Sequence, residues 1–147
     1  EAGIGGHVEL LVGGKVDDQH GAPIRLRGTV TNVTDGQFVT STAFNAGRQR
    51  RGLTAVIDCD GIEVILTSRP GHSFEPNNFR SVGIEPTERN ILVAKSEMQH
   101  RAGLASVAKV FIDVDTPGIS TPILSRLPFE NLRRPIHPLD PAVSWQP

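Results

Sequence analysis

Residues 53–67, LTAVIDCDGIEVILT, decide the fold. Two β-favouring runs, 53–59 and 62–67, flank Asp60-Gly61. A two-residue Asp-Gly loop suits a type I′ turn, whose twist matches the strands it joins. The stretch therefore reads as an antiparallel hairpin. Cys59 alternates with Ile57 along the first strand, which favours a small buried thiol over a nucleophile. As the sole cysteine it excludes an internal disulfide, and no cysteine metal motif is present.

Working upstream, IRLRGTVTNVT (24–34) alternates cleanly. Ile24, Leu26, Gly28, Val30 and Asn32 share one face, and Arg25, Arg27, Thr29 and Thr31 the other, so a half-buried strand with one wet face is predicted. Asp35-Gly36 is a second tight-turn signal, from which residues 37–40 are expected to pair back as a short strand. HVELLV (7–12) reads as a strand ending at Gly13-Gly14, and KVDDQHGAP (15–23) as a polar loop. Residues 41–51 lack an apolar period and read as a long exposed loop, a common location for function. The arginines Arg48, Arg50 and Arg51, like Arg133 and Arg134, read as solvated loop positions.

Downstream, residues 75–82 suggest a short helix and Glu85-Pro86 a turn. NILVAKSEMQHRAG (90–103) runs apolar through 91–94 and then becomes polar. It reads as a buried strand that delivers a polar cluster to its own C-terminal end. Ser96 is a good N-cap for a helix over 97–108, with Met98, Ala102, Leu104, Ala105 and Ala108 near one face. A further strand is predicted over 110–114. Thr121 can cap a brief helix, with Pro122 at its first position, running to about Leu127. Beyond it Pro128, Pro135, Pro138, Pro141 and Pro147 forbid regular helix or central strand, so an extended tail lying across the body of the domain is expected. The fold class is α+β: a mixed, largely antiparallel sheet built from hairpins plus a strand–helix–strand unit, with a Pro-rich extended C-terminal tail. Its length of 147 residues suits a single domain over 1–147.

A net charge of −1 gives no footprint for nucleic acid or an anionic membrane. Aromatics at 5% supply no stacking platform for single strands. No run approaches the ~20 apolar residues of a membrane span. No signal peptide opens the chain, and its glycine-rich start reads like the middle of a longer protein. A cytoplasmic setting is expected.

The search for chemistry finds no complete set. The five histidines show no HExxH spacing. Asp17, Asp18 and His20 share a loop, but a polar turn explains them without a metal. Asp113 and Asp115 lie on one strand face, either as paired acids or with Asp115 holding the turn amides before Pro117-Gly118. Ser96 lacks the flanking glycines of a nucleophile elbow. Gly13-Gly14-Lys15 is no phosphate loop. Lys95 ends an apolar run, so its ammonium emerges near the positive end of the following helix, where a carboxylate is attracted. Arg101 can reinforce it. The alternative is a weak surface pair of Lys95 with Glu97 or a loop aspartate.

An ordered set of segments carries a family resemblance: GGKVDDQHGAPI, TDGQF, GLTAVI, FRSVGIEPTERNILVAKS, VDTPG and LPFENLRRPIHPLD. Over about residues 13–140 the chain resembles the C-terminal domain of the microcystinase C (MlrC) family of candidate metallopeptidases. The named member acts on linearised microcystin, a small peptide. The resemblance implies a larger N-terminal domain that carries the metal ligands and holds zinc, with this chain as the partner of that domain. No catalytic residue and no metal ligand is then expected here. The substrate-facing candidates are Lys95, Ser96, Arg101, His20 and His100, toward an anionic peptide or small-molecule substrate. Lys95, Ser96 and Arg101 match the family's pattern. Where the family carries a histidine and an aromatic before the arginine, this chain has Gln99 and His100. The 41–51 loop is richer in arginine than the family's glycine–methionine pattern.

The leading expectation is thus an accessory, substrate-cleft domain of an MlrC-like zinc metallohydrolase, inactive in isolation. A rival from another class is a non-catalytic oligomerisation or interaction module, and a third is a self-sufficient serine or metal hydrolase.

Overall fold

A computed structural model describes residues 2–42, 46–96, 99–116, 118 and 120–140. Two compact units emerge. One combines Glu1–Val12 with Ile24–Val114, and the other Gly13–Pro23 with Asp115–Pro147.

The first unit is built on a four-stranded antiparallel sheet of β1 (His7–Val12), β2 (Ile24–Thr34), β5 (Thr54–Cys59) and β6 (Ile62–Thr67), in the order β1-β2-β5-β6. The β5–β6 hairpin forms as predicted, with Cys59 opposite Ile62 and Thr54 opposite Thr67. Its turn needs positive φ at both central positions, and Asp60 (53°) and Gly61 (90°) supply it. The Asp58 carboxylate accepts from the Gly61 amide at 2.8 Å and closes the loop. The wet face of β2 is paired rather than bare. Glu9, opposite Arg27 in the β1–β2 register, accepts from Arg27 Nε at 2.7 Å and also binds Arg25. A bulge at Thr31 shifts the β2–β5 register between Val30 and Asn32.

Val56 of β5 is 1% exposed and joins Phe79, Val82, Ile84 and Leu104 in the core. Phe79 comes from the short helix α1 (Pro76–Arg80), where the sequence placed one. Glu85-Pro86 opens a single 3-10 turn, Pro86–Glu88. Leu92, Ala94, Val107, Ala108 and Phe111 pack in from the side as partly buried neighbours. Cys59 is half-buried, less than expected; partial burial, with Asp58 and Asp60 beside it, pushes its thiol pKa up.

Several expectations are corrected. Residues 37–39 do form a strand, β3 (Gln37–Val39), but it pairs with β4 (Arg48–Arg50) rather than folding back on β2. Part of the expected 41–51 loop is therefore strand, and Arg51 is 8% exposed instead of solvated. Its guanidinium binds the His72 carbonyl and lies over the Phe38 ring, so the stem fills space that a shorter cation would leave empty. Residues 91–94 and 110–114 belong to no ladder, so the strand–helix–strand unit contains only its helix, α2 (Gln99–Leu104). That helix stops before 108: the amides of Val107 and Ala108 both close onto the Leu104 carbonyl. Its buried side carries Gly103 and Leu104, while Ala102 and Ala105 are exposed. Glu97 and Met98 lie outside the described residues, and the described helix begins at Gln99.

In the second unit, Asp17 Oδ1 accepts from the amides of Gln19 (2.8 Å) and His20 (2.9 Å), a tight Asx-type loop. The helix after Thr121 reduces to a 3-10 turn, Leu124–Arg126, with Thr121 Oγ1 accepting from the Ile123 amide at 3.1 Å. The proline-rich tail makes local turns rather than one extended run. Arg134 clamps Asp140, whose Oδ2 also takes the Ile136 amide at 2.6 Å. Asp115 meets Arg126; residues 117 and 119 of the turn whose amides it was expected to hold lie outside the described residues. Pro141, Trp145 and Pro147 lie outside the described residues. Among those described, no helix is long and apolar enough to cross a membrane.

Candidate functional site

The polar cluster predicted after residue 94 is assembled by the packing of the first unit. Inward-pointing Leu92 and Ala94 fix the 91–96 segment against the core, and Phe111 does the same for 109–114. Between them α2 is seated by Leu104 and by the close approach of Gly103 to Phe74. Lys95 is exposed at the end of the first segment, and Ser96 beside it is half-buried with its amide bonded to the Ala94 carbonyl at 3.0 Å. Lys95 has no carboxylate partner among the described residues; Glu97, the partner weighed for it, lies outside them.

His100 and Arg101 converge on Asp113. Arg101 Nη2 donates to Asp113 Oδ2 at 2.5 Å, and His100 Nε2 lies 3.4 Å from Oδ1. Both side chains rest on Phe111, the imidazole at 5.8 Å between centroids and the guanidinium at 5.5 Å. The Arg101 hydrogen bond holds the Asp113 carboxyl below its ordinary pKa against desolvation, aided by the charge of Arg101 and by His100. The paired-acid reading of Asp113 and Asp115 gives way to two separate arginine pairs, Arg101–Asp113 and Arg126–Asp115. Asp113 is offset by Arg101, and among the described residues no carboxylate balances the Lys95 ammonium. An arginine fork carries five donors, so Arg101 retains hydrogen-bonding capacity beyond Asp113.

His20 belongs to the second unit. Its Nδ1 sits 3.0 Å from Asp17 Oδ1, and the loop amides, the Gln19 amide first, keep that carboxyl below its usual range. Among the described residues, no three His, Cys, Asp or Glu side chains come together in a way that could hold a metal ion.

Two features escaped the sequence reading. Asp35, Gln37, Arg50, Gly52 and Arg69 line an open, polar recess that exists only because β3 pairs with β4. Glu75 is 2% exposed, and its Oε2 takes both the amide (2.9 Å) and the hydroxyl (2.7 Å) of Ser41. No short motif announces either one, because each depends on chain segments some fifteen to thirty-four residues apart.

The family model of the MlrC C-terminus matches residues 1–131. Microcystinase C of Sphingomonas sp is 29% identical over 142 residues, covering 97% of this chain and 27% of that protein. A crystal structure of a candidate metallopeptidase from Mesorhizobium sp. BNC1 aligns with a TM-score of 0.81 at 29% identity. The alignment covers 99% of this chain and 29% of the crystallised one. The chain thus spans less than a third of the length of these relatives.

Proposed function

The chain belongs to the MlrC C-terminal family, and on that premise we propose that it is the accessory, cleft-walling domain of a zinc metallohydrolase of peptidase or amidohydrolase type. It is not catalytically complete alone. The observation that supports the reading is the exposed Lys95 ammonium, without a carboxylate partner among the described residues, on the segment that leads into α2 and its Arg101–Asp113 pair. Such a site attracts a substrate carboxylate: Lys95 as a point charge, Arg101 as a planar donor fork, Ser96 as a neutral hydroxyl. His100 positions the pair by packing on Phe111.

On this reading the zinc is held by the larger N-terminal domain that the family resemblance implies. Among the described residues, no group of His, Cys, Asp and Glu side chains fits a zinc ion. A metal in the larger domain would supply activated water. The substrate is an anionic peptide or small molecule, and the setting is cytoplasmic.

In the full-length protein, Lys95→Ala should raise KM for an anionic peptide about tenfold, the effect of losing ~1.4 kcal/mol of binding. The melting temperature should stay unchanged, because Lys95 is exposed. An unchanged KM with a lowered melting temperature would make Lys95 structural.

A further inference from the structure

Residues 91–94 and 110–114 share an unusual combination of features. Inward residues Leu92, Ala94 and Phe111 pack on the core. The alternate side chains are almost fully in water: Ile91 82%, Val93 87%, Val110 76%, Ile112 82% and Val114 74% exposed. All five are β-branched, the residue type that suits a pleated and covered surface. Among the described residues, the backbone amides of 91–95 and 110–114 donate to no other backbone group. Strands with apolar residues on both faces are the mark of a sheet buried on both sides. An unpaired edge with an apolar outer face is a template for adding another strand.

We propose that these two segments are strands of a sheet completed by the polypeptide that precedes this domain in the longer protein. That polypeptide pairs with their edges and covers Ile91, Val93, Val110, Ile112 and Val114. The α2 crossover between them suits two parallel neighbours or near-neighbours in that sheet. The occupant is chosen by two facts. The chain accounts for only 27% of Microcystinase C. The same fold is found within a crystallised chain of which it forms 29%. The inference rests on the reading of this chain as an accessory domain and adds the surface by which it joins the larger one. It also places Lys95 at the junction, one residue beyond a strand that the larger domain holds.

Hydrogen exchange tests this in the 147-residue chain and in the full-length protein. The amides of 91–94 and 110–114 should exchange at least about 100-fold more slowly in the full-length protein, while those of β5 are protected in both. Val93→Asp and Ile112→Asp should leave the melting temperature of the 147-residue chain unchanged, since both sites are exposed there, yet abolish the added protection in the full-length protein. Equal, fast exchange in both proteins overturns the proposal. So does protection in the short chain that grows with its concentration, which would make a second copy the occupant. The readout does not depend on turnover. An unaltered KM in Lys95→Ala with protected strands sinks only the substrate role; a raised KM with unprotected strands sinks only the docking surface.

Discussion

Gly103 of α2 lies so close to Phe74 that a Cβ built on it would stand 1.9 Å from the Phe74 carbonyl oxygen and 3.1 Å from its ring. This approach seats the helix beneath the polar cluster. Alanine is ordinarily the better helix residue by up to ~1 kcal/mol. Here the added methyl meets a backbone carbonyl rather than a flexible side chain, and overpacking costs about 1–3 kcal/mol or more. The clash wins. Gly103→Ala should lower the urea midpoint by a net loss of roughly 1–2 kcal/mol with the m-value unchanged. A raised midpoint would mean that α2 can slide away from Phe74.

Glu85 makes stability depend on acid. Arg80 donates to both its oxygens, at 2.8 and 3.1 Å, and this pair, with the Thr87 amide and hydroxyl, brings the carboxyl pKa from 4.5 down to about 2 against some desolvation. A depressed folded pKa means that the native state favours the ionised form. The stabilisation is fully present above 4.5 and is lost as pH falls through about 2. Glu85→Gln should therefore melt below the parent at pH 6, by a few degrees at most because both side chains are partly exposed to water. The gap should shrink toward zero near pH 2. A gap of equal size at both pH values would assign the effect to shape rather than charge.

The sequence was most informative where chemistry is local. Asp60-Gly61 fixes both a bend and its two strands, since the runs on either side are long and adjacent. Asp35-Gly36 fixes only the bend. Its outgoing strand finds Arg48–Arg50, a polar trio with no period to betray it, because that pairing is decided by neighbours distant in sequence. Arg51 reads as surface by its charge, yet its stem and guanidinium are satisfied inside by Phe38 and the His72 carbonyl. Residues 91–94 read as a buried strand from their unbroken apolar run, and 110–114 as a further strand. In this chain only one face finds a core. At the site, Lys95 and Arg101 were visible from the switch from apolar to polar residues. The partner of Arg101 was not, because Asp113 reaches it only through the packing of Phe111.

His100, at a position where the family resemblance leads to the expectation of an aromatic residue, packs as one. Its ring lies 5.8 Å from Phe111 at 59°, and its side chain is 13% exposed. The cost is polar. Nδ1 is buried without a hydrogen-bond partner among the described residues, and an unmatched buried polar group costs about 1–3 kcal/mol. The opposing contribution, a 3.4 Å approach of Nε2 to an exposed carboxylate, weighs little in water. His100→Phe should keep the ring packing, remove the orphaned nitrogen and raise unfolding stability by roughly 1 kcal/mol. His100→Ala leaves a hole against Phe111 and should lose roughly 2 kcal/mol. In both variants the Asp113 carboxyl should still titrate below its ordinary value, because the Arg101 hydrogen bond is the first cause of that shift. Urea denaturation and carboxyl titration by NMR measure the two effects separately. If His100→Phe proves no more stable than His100→Ala, the imidazole is held by a polar partner and not by its ring.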